Sequence, residues 1–212
     1  RRYYAARCAL ATQGIAYDFA ARDAQCPPKQ GASRQGEAAL EVVRKIELLM
    51  NQAQVTVRDR AVVPAALAVA AKTNEPAAAL ALPNGKIVTG RTKSLLGAAA
   101  ALLLNALKAL AEIPDDVSLI SSAVIEPVQD LKTRYLGNRN PRLHTDEVLV
   151  ALSICAASDA VAARALAQLP ALRGCEAHSS VLLSAVDESV LRKLGVHLTC
   201  EPRYQTQKLY HG

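Results

Sequence analysis

Alternating apolar and polar positions divide the chain into helices and a few short strands. From Glu37 to Asn51 apolar residues recur every three or four positions, which predicts an amphipathic helix. Comparable patterns predict further helices over Val62–Lys72, Lys93–Ile113, Ser122–Tyr135, Thr145–Ala157, Ser158–Leu169 and Val186–Leu194, and Ser158 is the expected cap of the helix that it begins. The segment from Lys93 to Ile113 is apolar nearly all round, so we expect it to be the central, deeply buried helix.

Five short apolar runs have the pattern of strands. They are Ala77–Leu82, Lys86–Thr89, Val117–Ile120, Ala177–Leu183 and Val196–Cys200. The first two flank Asn84-Gly85, a dipeptide typical of hairpin turns. The last two are separated by a helix that Ser184 opens, with Asp187 three residues on in a variant of the capping box. They should therefore be parallel strands joined by a right-handed crossover. The pattern predicts an α/β fold with a mixed sheet of about five strands, an N-terminal-side hairpin plus a C-terminal βαβ unit, covered by helices.

The N-terminal end differs in character from the rest. Asp23 to Gly36 holds two prolines and two glycines and is typical of a linker. We therefore expect an N-terminal helix and linker over residues 1–36 and an α/β domain over residues 37–212.

Composition limits the kinds of partner. The 212 residues are 51% apolar, with a net charge of +6 and only seven aromatic residues (six Tyr, one Phe). Residues 1–60 contain ten basic and six acidic side chains, against fifteen and thirteen in the remainder. Because the excess positive charge lies mainly at one end and few rings are present for base stacking, we do not predict a nucleic-acid-binding protein.

The cysteines and the apolar runs indicate the cellular compartment in which the protein is expected. Five widely spaced cysteines, an odd number, without a signal peptide at the start favour a reduced, cytoplasmic protein. The longest uncharged apolar run, Leu95 to Leu107, is too short to cross a bilayer, so no membrane association is predicted.

The loop Gly137–Glu147, GNRNPRLHTDE, is the first candidate site. It places Arg139, Arg142 and His144 before a helix for which Thr145 is the expected N-cap. Arginines beside the amide groups of a helix N-terminus suit a phosphate or a carboxylate.

The same loop also allows a structural interpretation. His144 and Asp146 are candidates for proton transfer, but Arg139 and Arg142 could instead form ion pairs with Asp146 or Glu147 and simply hold the loop in place. The sequence leaves both interpretations open.

A second anion site is expected before the predicted central helix. Gly85 to Thr92, GKIVTGRT, nearly matches a phosphate loop, with Arg91 at the position of the lysine. A phosphate loop follows a strand, whereas these residues have the pattern of a strand within a hairpin. The remaining hypothesis is that Thr92 and Lys93 lie at the helix start and bind an anion there.

A second group of polar residues lies near the C-terminus. Glu176 and His178 alternate along a predicted strand, so they share one face and could act as an acid and base pair. Cys175, His178 and Cys200 could supply three zinc ligands, although no tight second pair of ligands accompanies them. The alternative is that Cys155 and Cys200 are small buried apolar residues and that no metal is bound.

Longer blocks of the sequence resemble a known family. KIELLMNQA (45–53), PNGKIVTGRTKSLLGAAAALLLNALKALA (83–111), VIEPVQDLKTRYLGNRNPRLHTDEVLVALSICAA (124–157) and GCEAHSSVLLSAVDESVLRKLGVHLTCEP (174–202) resemble the C-terminal part of the bacterial uncharacterised protein family 0371, domain of unknown function 1846. The resemblance runs from about Glu41 to His211. It implies no particular activity or cofactor and carries over no catalytic residues.

This resemblance also bears on the extent of the chain. Family members are longer at the N-terminus, where they carry a glycine-rich segment similar to a phosphate loop. The chain thus resembles a fragment, or one of two polypeptides, of such a protein. The hairpin followed by a buried helix is also similar in outline to the cytidine-deaminase scaffold, but the zinc signature of the deaminases is absent.

Two functional hypotheses follow. In the first, the domain lines a binding or active site for a phosphorylated or nucleotide-like metabolite, with the loop and the strand residues Glu176 and His178 meeting in one cavity. In the second, it is a non-catalytic interaction domain that forms a homo-oligomer or supports an N-terminal catalytic half through its apolar helices.

Overall fold

A mixed sheet of four strands lies at the centre of the residues that the computed structural model describes, which are 48–201, 203 and 205. The strands are β1 (Ala77–Ala81), β2 (Ile87–Arg91), β3 (Glu176–Ser179) and β4 (His197–Cys200), in the order β2-β1-β3-β4. β1 is antiparallel to both β2 and β3, whereas β3 and β4 are parallel.

The hairpin and the βαβ unit are confirmed. The fifth strand is not, because Val117–Ile120 forms bends and no strand. Leu119 and Ile120 are nevertheless buried in the main core. These side chains are buried although their backbone does not pair with a strand. A short apolar run in the sequence has the same pattern whether it forms a buried strand or a buried loop. The resemblance to the deaminase scaffold is likewise not confirmed.

Helices cover both faces of the sheet. They are α1 (Val62–Thr73), α2 (Ala98–Leu110), α3 (Ser122–Asp130), α4 (Thr145–Ala156), α5 (Ala160–Leu166) and α6 (Ala185–Lys193). Short 3₁₀ turns lie at Val57–Asp59 and Leu169–Leu172, and a π turn over Leu131–Tyr135 continues α3. Of the predicted helix Glu37–Asn51, only the end lies within the described residues, where 48–53 are helical. The proposed linker and boundary at residue 36 lie outside them.

The sheet separates two apolar clusters. Ala78 and Leu80 of β1 and Ala177 of β3 belong to the main core with α2, α4 and α6. Ala79 of β1 faces the other way and packs against Val62 and Ala66 of α1. Since side chains alternate along a strand, each position of β3 also faces either the α2 side or the α1 side.

The central helix is buried as predicted, but it begins later. α2 starts at Ala98 with Gly97 as its N-cap. Before it, the amide of Lys93 donates to the carbonyl of Leu96 at 3.0 Å. Thr92 and Lys93 therefore lie in a loop, and the prediction that they begin the helix is wrong.

Two helix caps also differ from the prediction. The N-cap of α4 is His144, and Thr145 is the first residue inside the helix. The N-cap of α5 is Asp159, whose side chain accepts from the amide of Val161, and not Ser158. Both predictions placed the cap one residue from its true position, because neighbouring polar residues offer equivalent side-chain acceptors.

Candidate functional site

A short backbone bridge brings the loop 137–147 to the start of α2. Leu96 and Leu143 form an isolated parallel bridge, in which the amide of Leu143 donates to the carbonyl of Leu95 at 2.9 Å. The amide of Gly97 donates in turn to the carbonyl of Leu143 at 3.4 Å. The N-termini of α2 and α4 therefore lie side by side.

A cavity of about 470 Å³ opens at this junction. Its walls come from the start of α2, from the loop before α4 and from the segment between β3 and α6. The lining residues are Pro76, Gly97, Ala98, Ala99, Gly137, Asn138, Arg139, Asn140, Arg142, Leu143, His144, Val181, Leu182, Leu183, Ser184, Asp187 and Gln205. The cavity thus lies beyond the carboxyl end of β3, where α/β proteins commonly bind ligands.

Three helix N-termini meet at this cavity. The N-cap residues Gly97 of α2, His144 of α4 and Ser184 of α6 all line it. Ala98 and Ala99, also in the wall, lie in the first turn of α2, where amide groups have no carbonyl partner within the helix. Each N-terminus carries a partial positive charge equivalent to roughly half an elementary charge. The dipoles of three helices therefore favour an anion in the same space.

The two arginines of the loop add positive charge. Arg139 is exposed at the cavity wall and forms no ion pair with any residue of the described chain. Nε of Arg142 donates to the carbonyl of Lys93 at 2.8 Å, and its guanidinium also has no acidic partner among the residues placed by the structure. The alternative in which these arginines pair with Asp146 or Glu147 is thus not observed.

Glu147 instead pairs with a buried lysine. Nζ of Lys132, in the π turn, lies 2.8 Å from Oε2 of Glu147 and donates to the carbonyl of Arg142 at 2.6 Å. The same Glu147 oxygen accepts from the amide of His144 at 2.7 Å. This network fixes the backbone of the loop. Because Glu147 pairs with Lys132, it forms no ion pair with the arginines, whose side chains remain available to the cavity.

His144 forms a hydrogen-bonded pair with a residue 43 positions away. Its Nδ1 lies 3.0 Å from Oδ2 of Asp187, a carboxylate that can only accept, so Nδ1 carries the proton. Asp187 also accepts from the amide of Thr145 at 2.8 Å and from the hydroxyl of Ser184 at 2.7 Å. The side chain of Asp187 therefore holds the starts of α4 and α6 together and fixes the orientation of the imidazole.

The pair shifts both pKa values. The hydrogen bond with Asp187 raises the pKa of His144 above its ordinary value, although burial acts in the opposite direction. For Asp187 burial alone would raise the pKa, but the bonds with His144, Thr145 and Ser184 lower it below its ordinary value. Both shifts favour an imidazolium beside a carboxylate.

Glu176 and His178 lie elsewhere. In the register of the sheet they are opposite Ala81 and Ala79, so both face α1 and not the cavity. The prediction that they meet the loop in one cavity is wrong, because the sheet stands between them. Of the four catalytic candidates, His144 alone lines the cavity; Asp146 is exposed and its carboxylate accepts from the amide of Glu147.

The α1 side holds a buried polar cluster around an arginine. Nε of Arg60 lies 3.1 Å from Oε2 of Glu176, and Nη1 of Arg60 donates to the hydroxyl of Thr199 at 2.6 Å. Nδ1 of His178 lies 2.8 Å from the same hydroxyl, and its Nε2 is 3.2 Å from Oε1 of Glu201. Burial, together with the charge of Arg60, lowers the pKa of His178 to about 4, so its ring is neutral. The cluster links the chain before α1 to β3 and β4.

The zinc candidates do not converge. Cys175 packs in the main core, where its thiol donates to the carbonyl of Ala171 at 3.5 Å, and Cys200 packs against the same core. His178 faces the opposite side of the sheet. Between residues 48 and 201 no group of three or more His, Cys, Asp or Glu side chains is arranged to hold a metal ion.

The remaining anion candidates lie outside the cavity. Thr92 is buried, Lys93 contributes its backbone carbonyl to the loop, and neither residue lines the cavity.

The sequence does not predict Asp187 and Lys132 as site residues. The sequence signal for Asp187 was the Ser184 cap with an acidic residue three positions on, which indicated a helix start but not the contact with a distant histidine.

Comparison with known proteins identifies the family. The sequence pattern described as "Domain of unknown function DUF1846, C-terminal" matches residues 58–210. UPF0371 proteins of Corynebacterium efficiens and Streptococcus thermophilus are 51% and 54% identical to this chain over 177 and 168 residues, or 84% and 79% of it. The chain belongs to the DUF1846 family.

The matched segments cover 36% and 34% of the lengths of those two relatives. A UPF0371 protein of Streptococcus sanguinis, 51% identical over 84% of this chain, is likewise covered over 36% of its length. This DUF1846 C-terminal domain therefore spans about a third of the curated relatives it matches. None of its helices between residues 48 and 201 is long and apolar enough to cross a membrane.

Proposed function

We propose that this DUF1846 domain binds the phosphate group of a phosphorylated or nucleotide-like metabolite and lines part of a binding or active site in a longer protein. The observation that carries the proposal is the meeting of three helix N-termini at the cavity, where Arg139 has no acidic partner among the described residues. The sequence alone predicted only one of these N-termini beside the arginines.

The charges at the cavity support an anionic ligand. Arg139, Arg142 and the first turn of α2, which contains no acidic residue, are hydrogen-bond donors with positive charge or partial charge. The acidic residue in the wall, Asp187, is engaged by His144, Thr145 and Ser184. Its charge therefore stabilises the protein's own donors and leaves the cavity electropositive.

The size of the cavity supports a ligand larger than a free phosphate ion. About 470 Å³ lies within the range of cavities that bind small organic molecules. Pro76 and the segment Val181–Leu183 form an apolar part of the cavity wall. A phosphate at the helix N-termini would leave room along this wall for a sugar or a nucleoside.

Calorimetric titration of the chain with methyl phosphate tests the proposal. The Arg139→Ala variant should bind several-fold to about tenfold more weakly, since a charge-assisted hydrogen bond contributes about 1.5 kcal/mol or more. Arg164→Ala, which removes an exposed arginine of α5 that does not line the cavity, is the control and should bind as the unaltered chain does. Equal affinity in the two variants, or absence of binding to the unaltered chain, contradicts the proposal.

The second candidate function is an interaction domain. Tyr135 and Leu136 are 72% and 67% exposed at the end of the π turn, and Val150 and Ile154 are exposed one turn apart on α4. Exposed apolar side chains that are neighbours, as in these two pairs, favour a protein contact more than isolated ones do. Light scattering after size-exclusion chromatography tests it: self-association that is lost in Tyr135→Ser and Ile154→Ser would support a homo-oligomer, and a monomer at all concentrations would contradict one.

A further inference from the structure

The imidazole of His144 is held from one side only. Nδ1 is engaged by Oδ2 of Asp187 at 3.0 Å and by Oγ of Ser184 at 3.3 Å. Because His144 lines the cavity, the remaining ring nitrogen, Nε2, is the one available to a ligand. The carboxylate of Asp187 is itself fixed by the amide of Thr145, so a turn of the ring would break the contact between Nδ1 and a carboxylate that cannot follow it.

The groups around His144 determine its charge. Asp187 faces it from α6 and Glu147 from α4, whereas Lys132 of the π turn opposes a positive ring. Arg139 and Arg142, in the same loop, also line the cavity. The direct hydrogen bond with Asp187 is the largest of these effects, and the pKa of His144 is raised despite the neighbouring cations.

On the basis of the proposed phosphate site, we infer that His144 binds the phosphate as an imidazolium, through Nε2–H, and that the ligand is a phosphate monoester. Asp187 acts as a positioning residue that keeps Nδ1 protonated and directs Nε2 to the ligand. The inference deepens the proposed function because it names the charged side chain that contacts the anion and the class of ester that fits.

The number of donor groups in the cavity wall favours a monoester. The donors are the first-turn amides of α2, the guanidinium of Arg139 and the imidazolium of His144, and they belong to different segments of the cavity wall. A monoester presents three terminal oxygens and close to two negative charges at neutral pH. A diester has two free oxygens and a single charge, and a carboxylate is planar with two oxygens. The monoester alone among these matches three separate donor groups.

Thermodynamic linkage gives the inference a direct observable. If a ligand binds the imidazolium more tightly than the neutral imidazole, bound ligand must lower the acid dissociation constant of His144 by the same factor, which raises its pKa. Each tenfold preference corresponds to one pKa unit. A purely structural histidine would not respond in this way.

Titration of the histidine ring signals by NMR tests the inference with methyl phosphate and dimethyl phosphate as matched probes. Saturating methyl phosphate should raise the pKa of His144 by about one unit, whereas dimethyl phosphate should change it by much less. His178, which faces the other side of the sheet, serves as an internal reference and should not shift. The spectrum of His144→Gln assigns the signal, since the chain contains four histidines.

The outcomes separate this inference from the proposed function. Two outcomes would overturn the inference and leave the phosphate site standing. In the first, methyl phosphate binds in an Arg139-dependent manner but leaves the pKa of His144 unchanged. In the second, dimethyl phosphate raises the pKa of His144 as much as methyl phosphate does. Absence of binding by methyl phosphate would overturn both. Asp187→Asn provides an independent check: it should lower the pKa of His144 in the free chain and weaken methyl phosphate binding, and an unchanged pKa would contradict the positioning role.

Discussion

Oδ2 of Asp187 lies 3.0 Å from Nδ1 of His144, and this contact between residues 43 positions apart in sequence joins the starts of two helices. Asp187 is the third residue of α6, and His144 is the N-cap of α4. The pair therefore couples the geometry of the cavity to the packing of the βαβ unit, and it can be tested through stability as well as through binding.

Asp187→Asn should destabilise the chain by about 2 kcal/mol near pH 5.5, because the charged hydrogen bond is lost. Asp187 has a lowered pKa, so its contribution is present above its unfolded value of 3.8 and is lost as pH falls. His144 has a raised pKa, so its contribution is complete below 6.5 and is lost as pH rises through the folded value. Urea unfolding at several pH values should therefore show the largest effect between about 4 and 6.5.

The neighbouring carboxylate supplies the control for that experiment. Glu188 forms an exposed pair with Arg192 one turn along α6, so Glu188→Gln should cost no more than about 0.5 kcal/mol. An equal loss of stability in Glu188→Gln and Asp187→Asn would show that the contact with His144 contributes nothing specific.

Lys132→Met should destabilise the loop that carries the arginines. The substitution leaves the carboxylate of Glu147 and the carbonyl of Arg142 without their buried donor, at a cost of about 2 kcal/mol. Methyl phosphate binding should weaken as well, because the loop backbone would no longer be fixed. Thermal unfolding and calorimetry measure the two effects. Lys193→Met, at an exposed position of α6, is the control, and a loss of stability as large as that of Lys132→Met would contradict the account.

The contact between β2 and α2 allows no side chain at Gly90. A Cβ there would lie 2.5 Å from Cα of Leu102 and 2.8 Å from the carbonyl carbon of Ala101, both backbone atoms. Gly90→Ala should therefore cost about 3 kcal/mol or more in the free energy of unfolding. At Gly97 the nearest atom to such a Cβ is the carbonyl oxygen of Leu143 at 3.9 Å, so Gly97→Ala should cost within about 1 kcal/mol. Denaturant unfolding of the two variants decides the point, and similar midpoints would be inconsistent with this packing.

His178 should make the chain sensitive to acid. Its pKa is about 4 in the folded state against an ordinary 6.5, so the unfolded chain binds the proton first as pH falls. Stability should decline by roughly 3 kcal/mol between pH 6.5 and 4 on this account, at about 1.4 kcal/mol per pKa unit. His178→Gln should remove most of that slope in urea unfolding. The same slope in His178→Gln and in the unaltered chain would refute the assignment.

Local signals in the sequence predicted much of the fold. Asn84-Gly85 indicated the hairpin, and the Ser184 cap followed by an apolar helix and a strand indicated the βαβ unit. These features depend on interactions between residues close in sequence. The predicted start of α2 is too early. The bridge between Leu96 and Leu143 keeps the residues before Gly97 out of the helix, and it joins segments about 47 residues apart.

The site was only partly predictable for the same reason. The loop with Arg139 and Arg142 was recognised from its own residues. The Ser184 cap predicts that Asp187 lies in the first turn of a helix, but the contact of Asp187 with His144 depends on how α4 and α6 pack. Strand alternation correctly placed Glu176 and His178 on one face, but it could not decide which face of the sheet is covered by α1.

A crystal structure of the chain grown with saturating methyl phosphate tests the central claim most directly. The account predicts a phosphate group within hydrogen-bond distance of the amides of Ala98 and Ala99, of Nε2 of His144 and of the guanidinium of Arg139. A cavity without the phosphate under these conditions, or methyl phosphate bound only outside it, would contradict the account.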